Sequence, residues 1–266
     1  QRLAEHGSEA LHLHEFDNLA AACRRAALLG DAETAVAALE GAWSVLEQRG
    51  PFDAGVELAQ AVWQLPSLDA ASRARAALVT GLSLNAAGRV AEAQPRLQQA
   101  LEFALAGRRA DVQARVLVAL GDIHVNLAMF EAGRDLHEQA RAMAAAEGLR
   151  SVECMALNGL GSACVDLGRI DQARACYEAA LRAAREAGDR RWQGWVLGNL
   201  GTLHFSEGAL ERAAEGFSAA LEIARELGDR KGEGNMLCNL AAVHELRGRL
   251  PEALQSSQEA LQVARA

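Results

Sequence analysis

The stretch that decides the fold is residues 157–180, LNGLGSACVDLGRIDQARACYEAA, with its copy forty residues later at 197–220, LGNLGTLHFSEGALERAAEGFSAA. A Leu-Gly step (Leu160-Gly161, Leu200-Gly201) leads to a glycine (Gly168, Gly208), an alanine (Ala173, Ala213), an aromatic ring (Tyr177, Phe217) and a second alanine (Ala180, Ala220). Outward from these two copies the register continues without insertion. Thr80-Gly81, Leu120-Gly121 and Leu240-Ala241 mark the step in three more copies. Gly88, Ala128 and Gly248 mark the middle, and Leu97, His137 and Ser257 stand at the ring position. Self-similarity at a fixed period of this size belongs to repeat architectures.

Apolar residues recur three and four apart on both sides of the central glycine, so each copy reads as two amphipathic helices. The central glycine breaks the first helix and supplies the left-handed conformation of a tight turn. Small residues (Gly161, Gly201, Ala173, Ala213) fall where two helices approach, and large ones (Leu160, Leu200, Tyr177, Phe217) fill the space between them. A second turn carries Gly-Asp-Arg at 188–190 and 228–230, where the glycine stops one helix and the aspartate caps the next. Two regions follow: residues 1–69, degenerate helical repeats, and 70–266, five 40-residue repeats with the last truncated or uncapped. In the first region helices are expected at about 31–48 and 51–64, after one that starts at Glu15-Phe16-Asp17-Asn18-Leu19 and ends near Gly30-Asp31.

Composition agrees. The chain has 266 residues, net charge −8, 50% hydrophobic and 4% aromatic residues, and Lys231 is the single lysine among 27 basic residues. Ala, Leu, Glu, Arg and Gln dominate, which favours helix. A β-sandwich would need more β-branched and aromatic residues. Acidity argues against nucleic acid as a partner, and no apolar run reaches the roughly 18 residues of a membrane span. Five scattered cysteines (Cys23, Cys154, Cys164, Cys176, Cys238) without a Cys-x-x-Cys pair fit core packing in a reducing compartment, hence a cytoplasmic location. The chain starts at Gln1, and it is expected to be a piece of a longer protein.

The small–large pattern resembles the tetratricopeptide repeat, carried by Leu157, Leu160, Gly161, Cys164, Ala173, Tyr177 and Ala180, and by Leu197, Leu200, Gly201, His204, Ala213, Phe217 and Ala220. The family's usual period is 34 residues, and the 40-residue spacing is similar to the longer-helix variety of kinesin light chains. Gly-Asp-Arg replaces the closing proline. The resemblance implies an all-α fold, a right-handed α-solenoid of stacked antiparallel helix pairs whose first helices line a concave surface. The opening segment, with its Asp17-Asn18-Leu19 helix start and Trp43, resembles the junction after the nucleotide-binding module of bacterial STAND-type regulators such as the antibiotic-regulatory-protein and MalT-like types.

Catalytic constellations are missing from the sequence. Lys231 follows Arg230, so there is no Gly-x-x-x-x-Gly-Lys loop. No Gly-x-Ser-x-Gly or His-Glu-x-x-His pattern occurs. His124, His204 and His244 share one repeat position, but helices packed about 10 Å apart cannot bring them within a metal's reach of about 2 Å, so each is expected to be a packing residue with one polar contact. His12, His14 and Glu15 form a weaker metal candidate. Cys164 and Cys176 lie on the two helices of one repeat as core or near-core residues. No enzyme activity, cofactor or metal is expected.

Function is therefore sought on the first-helix face: Arg75, Val79, Leu82 and Asn85; Arg115, Ala119, Asp122 and Asn126; Met155, Asn158, Ser162 and Asp166; Trp195, Asn199, Thr202 and Phe205; Asn235, Asn239, Ala242 and Glu245. Asn199 and Asn239 match, by resemblance, the asparagine with which kinesin-light-chain-like repeats grip a peptide backbone. An amide supplies donor and acceptor together. Trp195 and Phe205 offer an apolar anchor beside them, while Trp192 is placed at the repeat junction. Arg75 and Arg115 are candidates for an acidic peptide or a carboxyl terminus. The expectation is a non-catalytic peptide- or protein-binding module of a larger bacterial regulator. The alternatives are self-assembly through the uncapped C-terminal end and a small-molecule sensor controlling an attached ATPase.

Overall fold

The computed structural model describes the backbone of residues 2–265 and the side chains of 14–47 and 50–265. Among the described residues there are thirteen helices and no strand. The chain is all-α, a solenoid of helix pairs. It divides into two compact units, Gln1–Ala128 and Met129–Ala266. The 40-residue register begins at residue 70 and the units divide at 128/129, so the two boundaries mark different properties of the chain.

The first unit holds α1 (Arg2–Leu29), α2 (Ala32–Arg49), α3 (Phe52–Trp63), α4 (Ala70–Ala86), α5 (Val90–Ala106) and α6 (Ala110–Asn126). α2 and α3 fall where the sequence places them. α1 starts well upstream of Glu15, because the preceding residues are mostly helix formers and contain no proline. Ala20 and Cys23 of α1 close against Val36, Leu39 and Trp43 of α2 and against Leu58 and Val62 of α3 in one buried cluster.

The second unit holds α7 (Phe130–Ala146), α8 (Arg150–Asp166), α9 (Ile170–Glu186), α10 (Arg190–Ser206), α11 (Leu210–Leu227), α12 (Arg230–Leu246) and α13 (Leu250–Arg265). α8 pairs with α9, α10 with α11 and α12 with α13. α7 packs on α8, α9 on α10 and α11 on α12. No helix in the described residues is long and apolar enough to cross a membrane.

The turns follow from the sequence. After α8, Gly168 takes φ +71°. Its N–H bonds to Val165 C=O at 2.9 Å, and Arg169 N–H bonds to Cys164 C=O at 2.8 Å. These two bonds satisfy carbonyls that the helix end leaves open. Ala128 takes the same position with φ +59°, and Arg108 does so in another turn with φ +53°. A side chain in that region costs about 1–2 kcal/mol. At the helix starts, Asp189 Oδ1 accepts from Trp192 N–H at 3.1 Å and Asp229 Oδ1 from Gly232 N–H at 2.9 Å, as the Gly-Asp-Arg reading requires. Asp31 and Asp69 cap α2 and α4 in the same manner.

In α4–α5, α8–α9 and α10–α11 the helices cross at a glycine. A Cβ on Gly161 would lie 2.4 Å from Tyr177 Cε1, one on Gly201 would lie 2.7 Å from Phe217 Cδ1, and one on Gly81 would lie 2.6 Å from Leu97 Cδ2. Tyr177, Phe217 and Leu97 are buried at these contacts. Gly201→Ala gains up to about 1 kcal/mol of helix propensity but overpacks the crossing by about 1–3 kcal/mol. In Gly234→Ala the new Cβ meets Val263 Cγ1 at an ordinary 3.7 Å. Urea unfolding followed by circular dichroism should therefore show Gly201→Ala destabilised and Gly234→Ala stabilised by about 0.5–1 kcal/mol. Equal behaviour of the two variants would refute the steric reading of the glycine step.

Candidate functional site

In the second unit α8, α10 and α12 lie side by side, α10 touching both others. Their shared face carries Met155, Asn158 and Ser162 from α8, Trp195, Asn199 and Thr202 from α10, and Asn235, Asn239 and Ala242 from α12. Asn199 Nδ2 donates to Asn158 Oδ1 at 2.8 Å, so these two half-buried amides form one unit across neighbouring repeats. Each amide has four hydrogen-bonding sites, and this bond uses one on each. Asn239 occupies the repeat position of Asn199, but the residue that would answer it on α10 is Gly198. A Cβ there would sit 3.3 Å from Met236, so the thioether takes the place of a second amide.

Trp195 is 40% exposed and packs edge-on against Trp192, ring centroids 4.8 Å apart at 81°. Trp192 is anchored on the core formed by α8, α9 and α10, which makes it the junction residue expected. Phe205 is turned inward, half-buried against the cluster of Phe217, Leu237 and Leu240. The apolar surface on this face is therefore mainly Trp195. Thr202 is exposed and its hydroxyl donates to Gly198 C=O at 3.1 Å. Ser162 Oγ lies 3.2 Å from the Tyr177 hydroxyl and 3.3 Å from Asn158 C=O, steadying the asparagine from behind. Asn235 is exposed.

The remaining expected site residues belong to the first unit. Arg75 is not a free cation: its Nε lies 3.1 Å from both carboxylate oxygens of Glu40, and its Nη2 bonds to Oε2 as well. Arg115 is half-buried on α6 and Asn126 is exposed at its end. Val79 and Ala119, expected on the open face, are buried because their helices pack closely there. Asp122 is exposed on α6.

The shared histidine position shows no metal geometry, and no cluster of three metal-binding side chains occurs among the described residues. His124 Nδ1 lies 2.7 Å from Leu120 C=O, and His204 Nδ1 lies 3.5 Å from Glu207 Oε2. His244 Nδ1 is buried without a hydrogen bond, so the expected single polar contact fails there. His14 and Glu15 are exposed, while His12 lies outside the described side chains. Cys23, Cys154 and Cys164 are buried and Cys176 half-buried. Burial pushes the Cys154 thiol up to about 12, which suppresses the nucleophilic thiolate.

Two features escaped the sequence reading. The amide pair links residues 41 apart, one off the 40-residue register, so a search at fixed period misses it. Arginine–carboxylate bridges also tie neighbouring helices and turns in the second unit: Arg169 to Glu131 at 2.6 Å, Arg190 to Glu226 at 2.6 Å, Arg225 to Glu259 at 2.8 Å, and Arg174 to Glu207. Their spacings of 33–38 residues were the available signal.

The tetratricopeptide repeat family model matches residues 152–226 and 205–266. Residues 152–266 are tetratricopeptide repeats. Solved structures share its fold at low identity. BtubC (BKLC) from P. vanneervenii is 20% identical with a TM-score of 0.65, covering 82% of this chain and 90% of its own. A Rap protein complexed with Competence and Sporulation Factor is 14% identical with a TM-score of 0.69, covering 96% and 76%. Aspartyl phosphate phosphatase F from Bacillus subtilis is 13% identical with a TM-score of 0.62, covering 100% and 74%. No curated protein matches the chain.

His137 shows how one ring position differs from its counterparts. It is fully buried, and Gly159 makes room for it: a Cβ there would lie 2.2 Å from the imidazole. Burial lowers its pKa to about 4. The unfolded chain binds a proton below about 6.5 that the folded chain refuses until about 4, so stability falls as pH drops through that window. From pH 7 to pH 5 the loss is about 2 kcal/mol. His137→Leu, the residue that stands at 97, should flatten this part of a stability–pH profile measured by urea unfolding. An unchanged slope would refute it.

Proposed function

We propose that the chain is a non-catalytic peptide- or protein-binding module, cytoplasmic and part of a larger bacterial regulatory protein, with the α8–α10–α12 face as its binding surface. The observation that carries this reading is the row of amides, Asn158 paired with Asn199 and Asn239 beside it, next to the exposed ring of Trp195. Amides pair with a backbone without reading its sequence, and an exposed tryptophan suits one apolar side chain. The Rap neighbour, solved with Competence and Sporulation Factor, supports a bacterial regulatory setting for this fold. Arg115 and Asn126 are a secondary candidate surface on α6, and Asn235, Thr202 and Phe205 flank the amide row.

The test is a random peptide display library panned on the full chain, followed by calorimetry of a recovered peptide. Two backbone hydrogen bonds at about 0.5–1.5 kcal/mol each put the loss in Asn199→Ala/Asn239→Ala at roughly 5- to 150-fold. A recovered peptide with unchanged affinity for the double variant overturns the site. Failure to recover any peptide counts against the class.

A second reading, self-assembly, is favoured by α13. Leu250, Leu254 and Leu261 are 64%, 60% and 49% exposed. Leu261 is the repeat counterpart of Leu181 and Leu221, which are buried where α9 and α11 meet the helix that follows. Sedimentation velocity should show concentration-dependent association lost in Leu254→Glu/Leu261→Glu. A monomer at all concentrations removes this reading.

A further inference from the structure

The first unit carries a cleft that the amide face does not involve. Its volume is about 260 Å³, and it is lined by Ala59, Gln60, Trp63 and Gln64 of α3 and the turn after it, Thr80 of α4 and Arg96 of α5. α3 has 12 residues and the neighbouring α5 has 17. α4 packs against both and floors the cleft, while α3 and α5 meet there through side chains. Trp63 stands edge-on to Phe103 with centroids 5.8 Å apart, and the Arg96 guanidinium lies 4.9 Å from the Trp63 ring centroid. The far side of the pair is closed by Arg73, 5.8 Å from the Phe103 ring.

Arg96 differs from the arginines that are held in ion pairs. Arg75, Arg89, Arg109, Arg134, Arg141, Arg150, Arg169, Arg174, Arg190 and Arg225 all face carboxylates. Arg96 donates Nη1 to Gln99 Oε1 at 3.0 Å, and no carboxylate pairs with it among the described residues. None of the lining residues is acidic, so the cleft is locally positive in a chain of net charge −8. Contact with the Trp63 ring holds the guanidinium at the cleft, and its remaining N–H groups can serve a two-pronged acceptor. Gln60 and Gln64, one helical turn apart, add neutral amide donors and acceptors beside it. Trp63 and Ala59 supply an apolar wall.

We propose that this cleft binds the carboxylate of an amino-acid-sized group, the carboxylate on Arg96 and its apolar side against Trp63. One guanidinium with two neutral amides suits a monoanion, whereas a phosphate dianion calls for a second cation in the lining. The volume lies below the roughly 300–1,000 Å³ of drug-sized sites, which limits the occupant to one residue-sized group. A free small carboxylate and the C-terminal residue of a peptide share this chemistry.

Calorimetry on the full chain separates them. The probes are N-acetyl-leucine, its amide N-acetyl-leucinamide, a hexapeptide ending in leucine with a free carboxylate, and inorganic phosphate. Binding of a carboxylate probe, at least tenfold weaker for the amide and for Arg96→Gln, supports the site. Similar affinity for N-acetyl-leucine and the hexapeptide assigns a small molecule, and much tighter hexapeptide binding assigns a chain terminus. Arg96→Gln should keep the wild-type melting temperature to within a few degrees, since the residue is partly exposed. Asn199→Ala/Asn239→Ala should bind the carboxylate normally, so failure of this proposal and failure of the amide-face reading are separable. The proposal is overturned if no carboxylate saturates the chain by about 10 mM, if acid and amide bind alike, if phosphate binds more tightly, or if Arg96→Gln retains full affinity.

Discussion

Three of the repeats depend on a contact between a helix without a side chain and a ring or branched chain that takes its place. Gly161 receives Tyr177, Gly201 receives Phe217 and Gly81 receives Leu97. Removing the Cβ costs each helix about 1 kcal/mol of propensity. In return the partner side chain is driven against backbone and almost fully dehydrated, a burial worth about 1.5–3 kcal/mol. The balance is positive only if the turn between the helices returns the chain at the correct angle. The left-handed turn residue and the glycine step therefore act as one constraint, and both recur at the same period.

That coupling explains why so much of the fold was legible. Periodicity, turn glycines and Asp caps are local signals, and the structure places Gly168, Asp189 and Asp229 in the roles their residue types dictate. The start of α1 was not legible, because helix formers without a stop signal do not mark a beginning. The site was legible by residue type and poorly by arrangement. Asn199 was evident, but not that Asn158 holds it, since the bond runs diagonally across the register. Arg75 looked like a free charge because Glu40 lies outside the 40-residue repeats altogether. The Arg96 cleft had no sequence signal, as it depends on α3 being shorter than its neighbour.

The charged residues divide by role. Many of the arginines clamp one helix to the next through carboxylates at the protein surface, where each pair contributes little alone, about 0–1 kcal/mol. Their effect is specificity of stacking, because a helix slipped by one turn would leave these partners mismatched. The clamps also use up positive charge, so the cleft around Arg96, with no acidic residue in its lining, stands apart from the acidic background.

The diagonal amide bond has a mechanical side. The Asn199–Asn158 bond joins α8 to α10 directly, so it braces these two helices against each other. The next junction has no such brace: Gly198 faces the flexible chain of Met236, and Asn239 has no amide opposite it. The α10–α12 junction is therefore the more compliant of the two. A backbone that bridged Asn239 to α10 would supply the missing brace, making occupancy of this face and rigidity of the array the same event.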